Sequence, residues 1–304
     1  MTAAALTRIL VPPDPVDLGL TLAPFLRGPR DPTMRVTGSV VWSAWRSAGG
    51  SVTLRLTREP DRVVASAWGA GAEATLDLLP DLLGLDDEAA TFAPMHPLLR
   101  ALQRRLVGLR LGRSAAVLDA LVPAILEQQW TWIEAWGALH RLIREHGEHA
   151  PGPPGTGLRL LPSAATLAGL PAYEYARLGV VGRRAVTLRA VAARAAQLEA
   201  AARLPLPEGY RRLRAIPGVG PWTAAEVGLR AFGDRDAVSV GDFHLPNLVA
   251  WALAGEPRGD DARMLQLLAP YRGRRARVVR LLEASGISAP RFGPRSPLPR
   301  FSRR

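Results

Sequence analysis

Residues 213–247, LRAIPGVGPWTAAEVGLRAFGDRDAVSVGDFHLPN, combine a glycine turn suited to holding an anion with one isolated carboxylate. Residues 213–216 close one helix, Pro217, Gly218, Val219 and Gly220 turn the chain, and Pro221 opens the next helix at its first-turn position. Glycine at 218 and 220 permits positive φ and close approach of another backbone. Amides between Gly218 and Trp222 then face outward at a helix start, where the macrodipole favours an anion such as phosphate. Downstream, Asp234 and Asp236 read as turn formers, which leaves Asp242. By itself Asp242 reads as the N-cap of the helix running toward Trp251. A carboxylate there could also stabilise developing positive charge or orient a water molecule, and the two roles can coexist.

Composition limits the rest of the chemistry. Across 304 residues there is no cysteine, which removes disulfides, thiolate nucleophiles, Cys-type zinc sites and iron–sulfur clusters. All 39 basic residues are Arg, so no lysine amine can form a Schiff base. The five histidines have no metal-site spacing, and neither a metal nor a cofactor is expected. The net charge of +12 is uneven. Residues 1–98 hold 8 Arg against 11 acids, whereas residues 99–304 hold 31 against 16. That asymmetry points to a polyanionic partner, nucleic acid first, with a solvated basic surface as the alternative. No apolar run is long enough for a membrane span, and the first residues lack the apolar core of a signal peptide. A monomeric, cytoplasmic, nucleoid-associated protein without a membrane partner is therefore the expectation.

The elements that would position these groups follow from periodicity. MRVTGSVVWSAW, GSVTLRLTREP and DRVVASAWGAG alternate β-branched and polar residues, with turns at residues 47–50 and 58–61, so the chain should begin with an antiparallel sheet. EATLDLLPDLLGLDD reads as a helix with a boundary or kink near Pro80. From Leu98 onward apolar residues recur at three- and four-residue spacings, and Ser163 is a candidate N-cap. His140, His146 and His149 read as surface residues at a helix end and loop. The expected class is α+β: an N-terminal antiparallel-sheet α/β domain over 1–98, a mostly helical region over 99–290, and an Arg/Pro-rich tail over 291–304.

With these residues in view, the chain resembles the helix-hairpin-helix DNA glycosylases, and among them the DNA-3-methyladenine glycosylase II group. The resemblance is strongest over residues 213–247 and extends over about 110–285, with the strand-rich N-terminal region also similar. It implies two helical subdomains within 99–290, with the DNA and base cleft between them. It implies a hairpin of Gly218, Val219, Gly220 and Thr223 that grips a phosphate of double-stranded DNA containing a damaged base. It also implies that Asp242 is the catalytic carboxylate, stabilising an oxocarbenium-like sugar as the N-glycosidic bond breaks. Relatives that also nick the strand carry a lysine immediately before the threonine. Trp222 stands there, so the chain is expected to be monofunctional.

By the same resemblance Trp222 and Tyr271 wall a pocket for a flipped base, where aromatic faces favour cationic alkylated purines, with plain core packing as the alternative, more so for Tyr271. Glu226 replaces a tyrosine of the best-known members; it could contact the base or point to solvent. In AILEQQWTWIEAW, Gln128 and Gln129 are the candidates for the wedge that fills the vacated stack, Gln129 by closest correspondence. Gly179 to Arg184 resemble the family turn that opens a helix near the DNA backbone, which makes Arg183 and Arg184 candidate phosphate contacts, with an ordinary exposed basic face as the alternative. The functional expectation is base excision of damaged purines, alkylated ones first. The rivals are a non-catalytic damage sensor and a glycosylase for deaminated or oxidised bases.

Overall fold

The computed structural model describes residues 4–47 and 49–290; the tail expected over 291–304 lies outside them. Strands β1 (Leu6–Leu10), β2 (Met34–Thr37), β3 (Val40–Ser47), β4 (Gly50–Arg58) and β5 (Val63–Trp68) form one antiparallel sheet in the order β1-β5-β4-β3-β2. Alternation fixes its inner face: Val52, Leu54 and Leu56 of β4 and Val63, Ala65 and Ala67 of β5 are buried. Helices α1 (Leu18–Leu22), α2 (Ala72–Asp77) and α3 (Leu79–Leu82) cover that face. Pro80 stands in the first turn of α3, so the expected single helix breaks at Leu78. On the opposite face Leu158 and Leu160 pack against Ala44. Edge strand β1 carries mixed rather than alternating residues and gives no strand signal in the sequence.

Helix α4 (Pro97–Arg105) is followed by α5 (Val117–Glu127), α6 (Trp132–His146), α7 (Ala164–Gly169), α8 (Ala172–Arg177), α9 (Arg183–Ala192), α10 (Ala195–Ala201), α11 (Leu206–Arg214) and α12 (Pro221–Val227). Ser163 caps α7 by accepting the Thr166 amide. Gly228–Phe232 continue α12 as a π turn, and α13 (Leu245–Ala254), α14 (Asp261–Leu268) and α15 (Arg275–Ala284) follow. Two helical cores result. One is contiguous, from Val117 to Phe232. The other joins Phe92, Leu99, Leu102 and Leu109 to residues 245–282 of α13–α15. The second bundle is thus drawn from both ends of the helical region, and Phe92 reaches it from before residue 98. Among the described residues no helix is long and apolar enough to cross a membrane.

Candidate DNA and base cleft

A cleft of about 2000 Å³ runs between the two helical cores. Its first wall carries the hairpin. Gly218 adopts φ +93°, and a Cβ there would lie 2.1 Å from Thr187 Oγ1. The hairpin therefore sits directly on α9 and only glycine fits. Gly220 differs from its expected use. Its φ is −88° and no atom lies within 4 Å of where a Cβ would stand, so its small size leaves open space on the cleft side. Among the described residues, the amides of Gly218 and Gly220 have no hydrogen-bond acceptor. Val219 is turned the other way: its amide donates to the Ile216 carbonyl and its side chain is buried.

Thr223 was expected against DNA but is 1% exposed, and its hydroxyl accepts the side-chain amide of Gln128 at 2.8 Å. The same Gln128 Nε2 donates to the Gly218 carbonyl at 2.9 Å. Gln128 thus bridges both sides of the hairpin and is not free to act as a wedge. Gln129, next along the loop between α5 and α6, is exposed with φ +54°. Arg184 also departs from its expected phosphate role. Its Nε donates to the Gln128 carbonyl at 2.9 Å, and its guanidinium lies 4.0 Å from the Trp130 ring centroid. Arg183 beside it is exposed at the start of α9, with no ion-pair partner among the described residues. Trp132 and Trp136 pack on each other in α6, which Thr131 and Glu134 start with a reciprocal capping box.

The opposite wall carries Asp242. Its Oδ1 accepts the amides of His244 and Leu245, each at 2.8 Å, at the start of α13. Its Oδ2 accepts the indole N–H of Trp222 at 3.0 Å. The N-cap position of α13 is His244 and not Asp242, which holds the turn before the helix with one carboxylate oxygen and meets Trp222 in the cleft with the other. The preceding turn is anchored by Asp261, whose carboxylate accepts the Gly241 amide. Asp234 and Asp236 brace the loop before it: Asp234 accepts the Tyr210 hydroxyl and Asp236 pairs with Arg275.

Tyr271 is not among the residues lining this cleft. It stacks edge-to-face on Phe92 in the second core, ring centroids 6.2 Å apart, because the approach to α4 supplies that aromatic partner. The aromatic side chains that do line the cleft are Trp130, Trp132, Trp136, Trp222 and Phe243, the last 84% exposed. Phe243 has no periodicity to mark it in the sequence; adjacency to Asp242 is its only signal. His140 is likewise not at a helix end: it lies mid-helix in α6, with Nε2 2.8 Å from the Arg27 carbonyl.

Below Trp222 the cleft becomes ionic. Glu226 Oε2 accepts Arg230 Nη1 at 2.5 Å and Oε1 accepts the Ser239 hydroxyl at 2.5 Å. Burial pushes the Glu226 carboxyl upward, but Arg230 and Ser239 outweigh it and hold the group below its usual range. Arg27 and Glu127 lie alongside, 3.6 Å apart, and Arg230 Nε donates to the Pro24 carbonyl. Arg230 was recoverable from the sequence, since residues 222, 226 and 230 recur every four positions on one helical face. Ser239 and Arg27 come from distant segments and were not.

No protein-family model matches the chain. Over 168 residues, 54% of the chain, it is 32% identical to the probable bifunctional transcriptional activator/DNA repair enzyme AlkA of Mycobacterium tuberculosis. The chain spans about a third (33%) of that relative's length. The 3-methyladenine DNA-glycosylase from Archaeoglobus fulgidus superimposes with a TM-score of 0.75 at 20% identity, over 91% of this chain and 97% of that one. The Clostridium acetobutylicum 8-oxoguanine glycosylase/lyase, in complex with dsDNA, superimposes at 0.71 and 14% identity, over 94% and 99%. The chain has the helix-hairpin-helix DNA glycosylase fold. An antiparallel sheet followed by a mostly helical region is the α+β architecture that the alternating strands and the three- and four-residue spacings led one to expect.

Proposed function

We propose that this protein is a DNA glycosylase of base excision repair, acting on damaged purines, alkylated ones included, in duplex DNA. The observation that carries the proposal is the pairing across one cleft of two unbonded hairpin amides with a carboxylate fixed by an indole and two helix-start amides. A DNA phosphate accepts the amides of Gly218 and Gly220. The flipped base enters past Trp222, and Gln129 fills the space it leaves. Asp242 then faces the sugar. As the C1′–N bond breaks, the leaving base takes the electron pair and positive charge spreads over C1′ and the ring oxygen; the carboxylate stabilises that charge and orients the attacking water. Burial of the sugar against Asp242 strengthens this attraction relative to water.

The products are a free base and an intact strand with an abasic site. The absence of lysine supports the lack of strand cleavage, since no side-chain amine can attack C1′. Single-turnover release from duplexes carrying one lesion each tests the proposal: 3- and 7-alkylpurines, hypoxanthine, uracil and 8-oxoguanine, with Asp242→Asn alongside. Release by the wild-type protein and its loss in Asp242→Asn are expected. Tight binding with no release from any lesion would leave a damage sensor in its place. Borohydride should trap no protein–DNA adduct once the N-terminal amine is blocked. Duplex binding should weaken steeply with salt through counterion release.

A further inference from the structure

Resting on the glycosylase reading, we infer that the floor of the base pocket recognises the Watson–Crick edge of the flipped purine. On this inference the substrates are purines damaged away from that edge, at N3, N7 or C8 or by conversion of the 6-amino group to an oxo group. Adducts that occupy the edge, such as 1,N6-ethenoadenine and 1-methyladenine, are excluded.

The inference rests on depth, donor–acceptor inventory and charge. Trp222, at the mouth, is hydrogen-bonded to Asp242. Glu226 stands one helical turn deeper on the same face, ~6 Å along the axis. A purine whose glycosidic nitrogen lies beside Asp242 therefore presents to Glu226 the edge farthest from that nitrogen, which is N1 with the 6-substituent. The floor is then matched to a donor next to an acceptor. Each oxygen of Glu226 accepts one hydrogen bond, from Arg230 or Ser239, and retains a lone pair. Arg230 spends Nε on the Pro24 carbonyl and Nη1 on Glu226, which leaves Nη2 without a partner among the described residues. Hypoxanthine and 7-alkylguanine offer N1–H beside O6, and 3-alkyladenine offers its amino group beside N1. An etheno ring offers no hydrogen-bond donor on this edge and adds bulk at the carboxylate.

Glu226 cannot become a donor by protonation, because Arg230 and Ser239 hold it ionised. Both partners are largely buried, with side chains 13% and 14% exposed, so an unmatched base would leave this pair facing lone pairs without water. Ser239 also ties floor to acid, since its carbonyl accepts the Asp242 amide at 3.2 Å.

Single-turnover release from matched duplexes tests this. The wild-type protein should release hypoxanthine, 7-alkylguanine or 3-alkyladenine at least about 100-fold faster than 1,N6-ethenoadenine or 1-methyladenine. The second measurement uses Glu226→Leu/Arg230→Leu, which removes both charges so that neither is stranded. This variant should narrow the ratio at least about tenfold, and the free bases as inhibitors of DNA binding should show the same narrowing without any turnover. Edge-blocked and edge-free lesions released at equal rates would overturn the inference, as would a double variant that folds, by its melting curve and duplex binding, and keeps the wild-type ratio. Release of no base at all from any duplex would instead remove the glycosylase reading on which the inference stands.

Discussion

The two walls of the cleft are held by different physics. The hairpin wall is joined mostly by neutral groups, the Gln128 amide, the Thr187 and Thr223 hydroxyls and backbone carbonyls, with the charged Arg184 on the Gln128 carbonyl and the Trp130 ring as the exception. The acid wall and floor are joined by charges, from Asp242 and Asp261 to the Glu226–Arg230 pair. On the proposed function, the difference follows from what each wall would meet. A wall facing a phosphate must keep its amides free and its own acids away, while a wall facing a developing sugar cation needs a fixed carboxylate. Fixing that carboxylate takes partners that are themselves bonded.

The sharpest way to break this division is at Asp242. Asp242→Asn keeps the shape and one acceptor oxygen but removes the charge. Base release should fall by about 10²–10³-fold or more while duplex affinity changes less than about threefold. Retained release would move the chemistry off this wall. Next is the neutral bridge: Gln128→Ala should slow release by up to about 100-fold by loosening the hairpin against the wedge loop. Equal rates for variant and wild type would mean that the bridge positions nothing. The two hairpin glycines should then separate. Gly220→Ala, at an open site with negative φ, should leave the melting temperature unchanged and weaken duplex binding about tenfold by crowding a phosphate. Gly218→Ala, at φ +93° against Thr187, should cost about 1–3 kcal/mol of stability. Identical behaviour of the two in melting would contradict the geometry.

The smallest effect on base release lies behind both walls, where the expected change is in stability alone. A cavity of about 90 Å³ between the sheet and α5 is lined by Asp119, whose carboxyl is pushed up to about 7 by burial and then by Glu199. The folded state therefore holds a proton there that the unfolded chain, near pH 4, releases. Stability from this group is present below that range and lost as pH rises through about 7. Asp119→Asn mimics the protonated form. It should melt with the wild type near pH 4 and above it at pH 8, by up to about 4 kcal/mol. A constant difference across that range would assign the titration elsewhere.

Local signals account for what was legible. Strand alternation over residues 34–68, the Ser163 cap and the glycine hairpin each depend on neighbours in sequence and appear where expected, except that the stretch from Met34 to Trp45 turns at Gly38 into two paired strands. Asp242, singled out by the resemblance, stands in the turn before α13 and lines the cleft. Errors arose where a distant segment decided the outcome. Tyr271 was claimed by Phe92 and Thr223 by Gln128. Arg184 was claimed by a carbonyl and a tryptophan in another loop. The apolar spacing across 117–146 runs through the break at Gln128, although the Thr131–Glu134 capping pair marks the new helix start in the sequence itself.

The bundle assembled from both ends of the helical region has a consequence for how the molecule comes into being. As the chain emerges in synthesis, α5–α12 can collapse on contacts close in sequence, whereas Phe92 and α4 must wait for α13–α15. The grip and the wedge are thus expected to mature first, and the wall that carries the acid last.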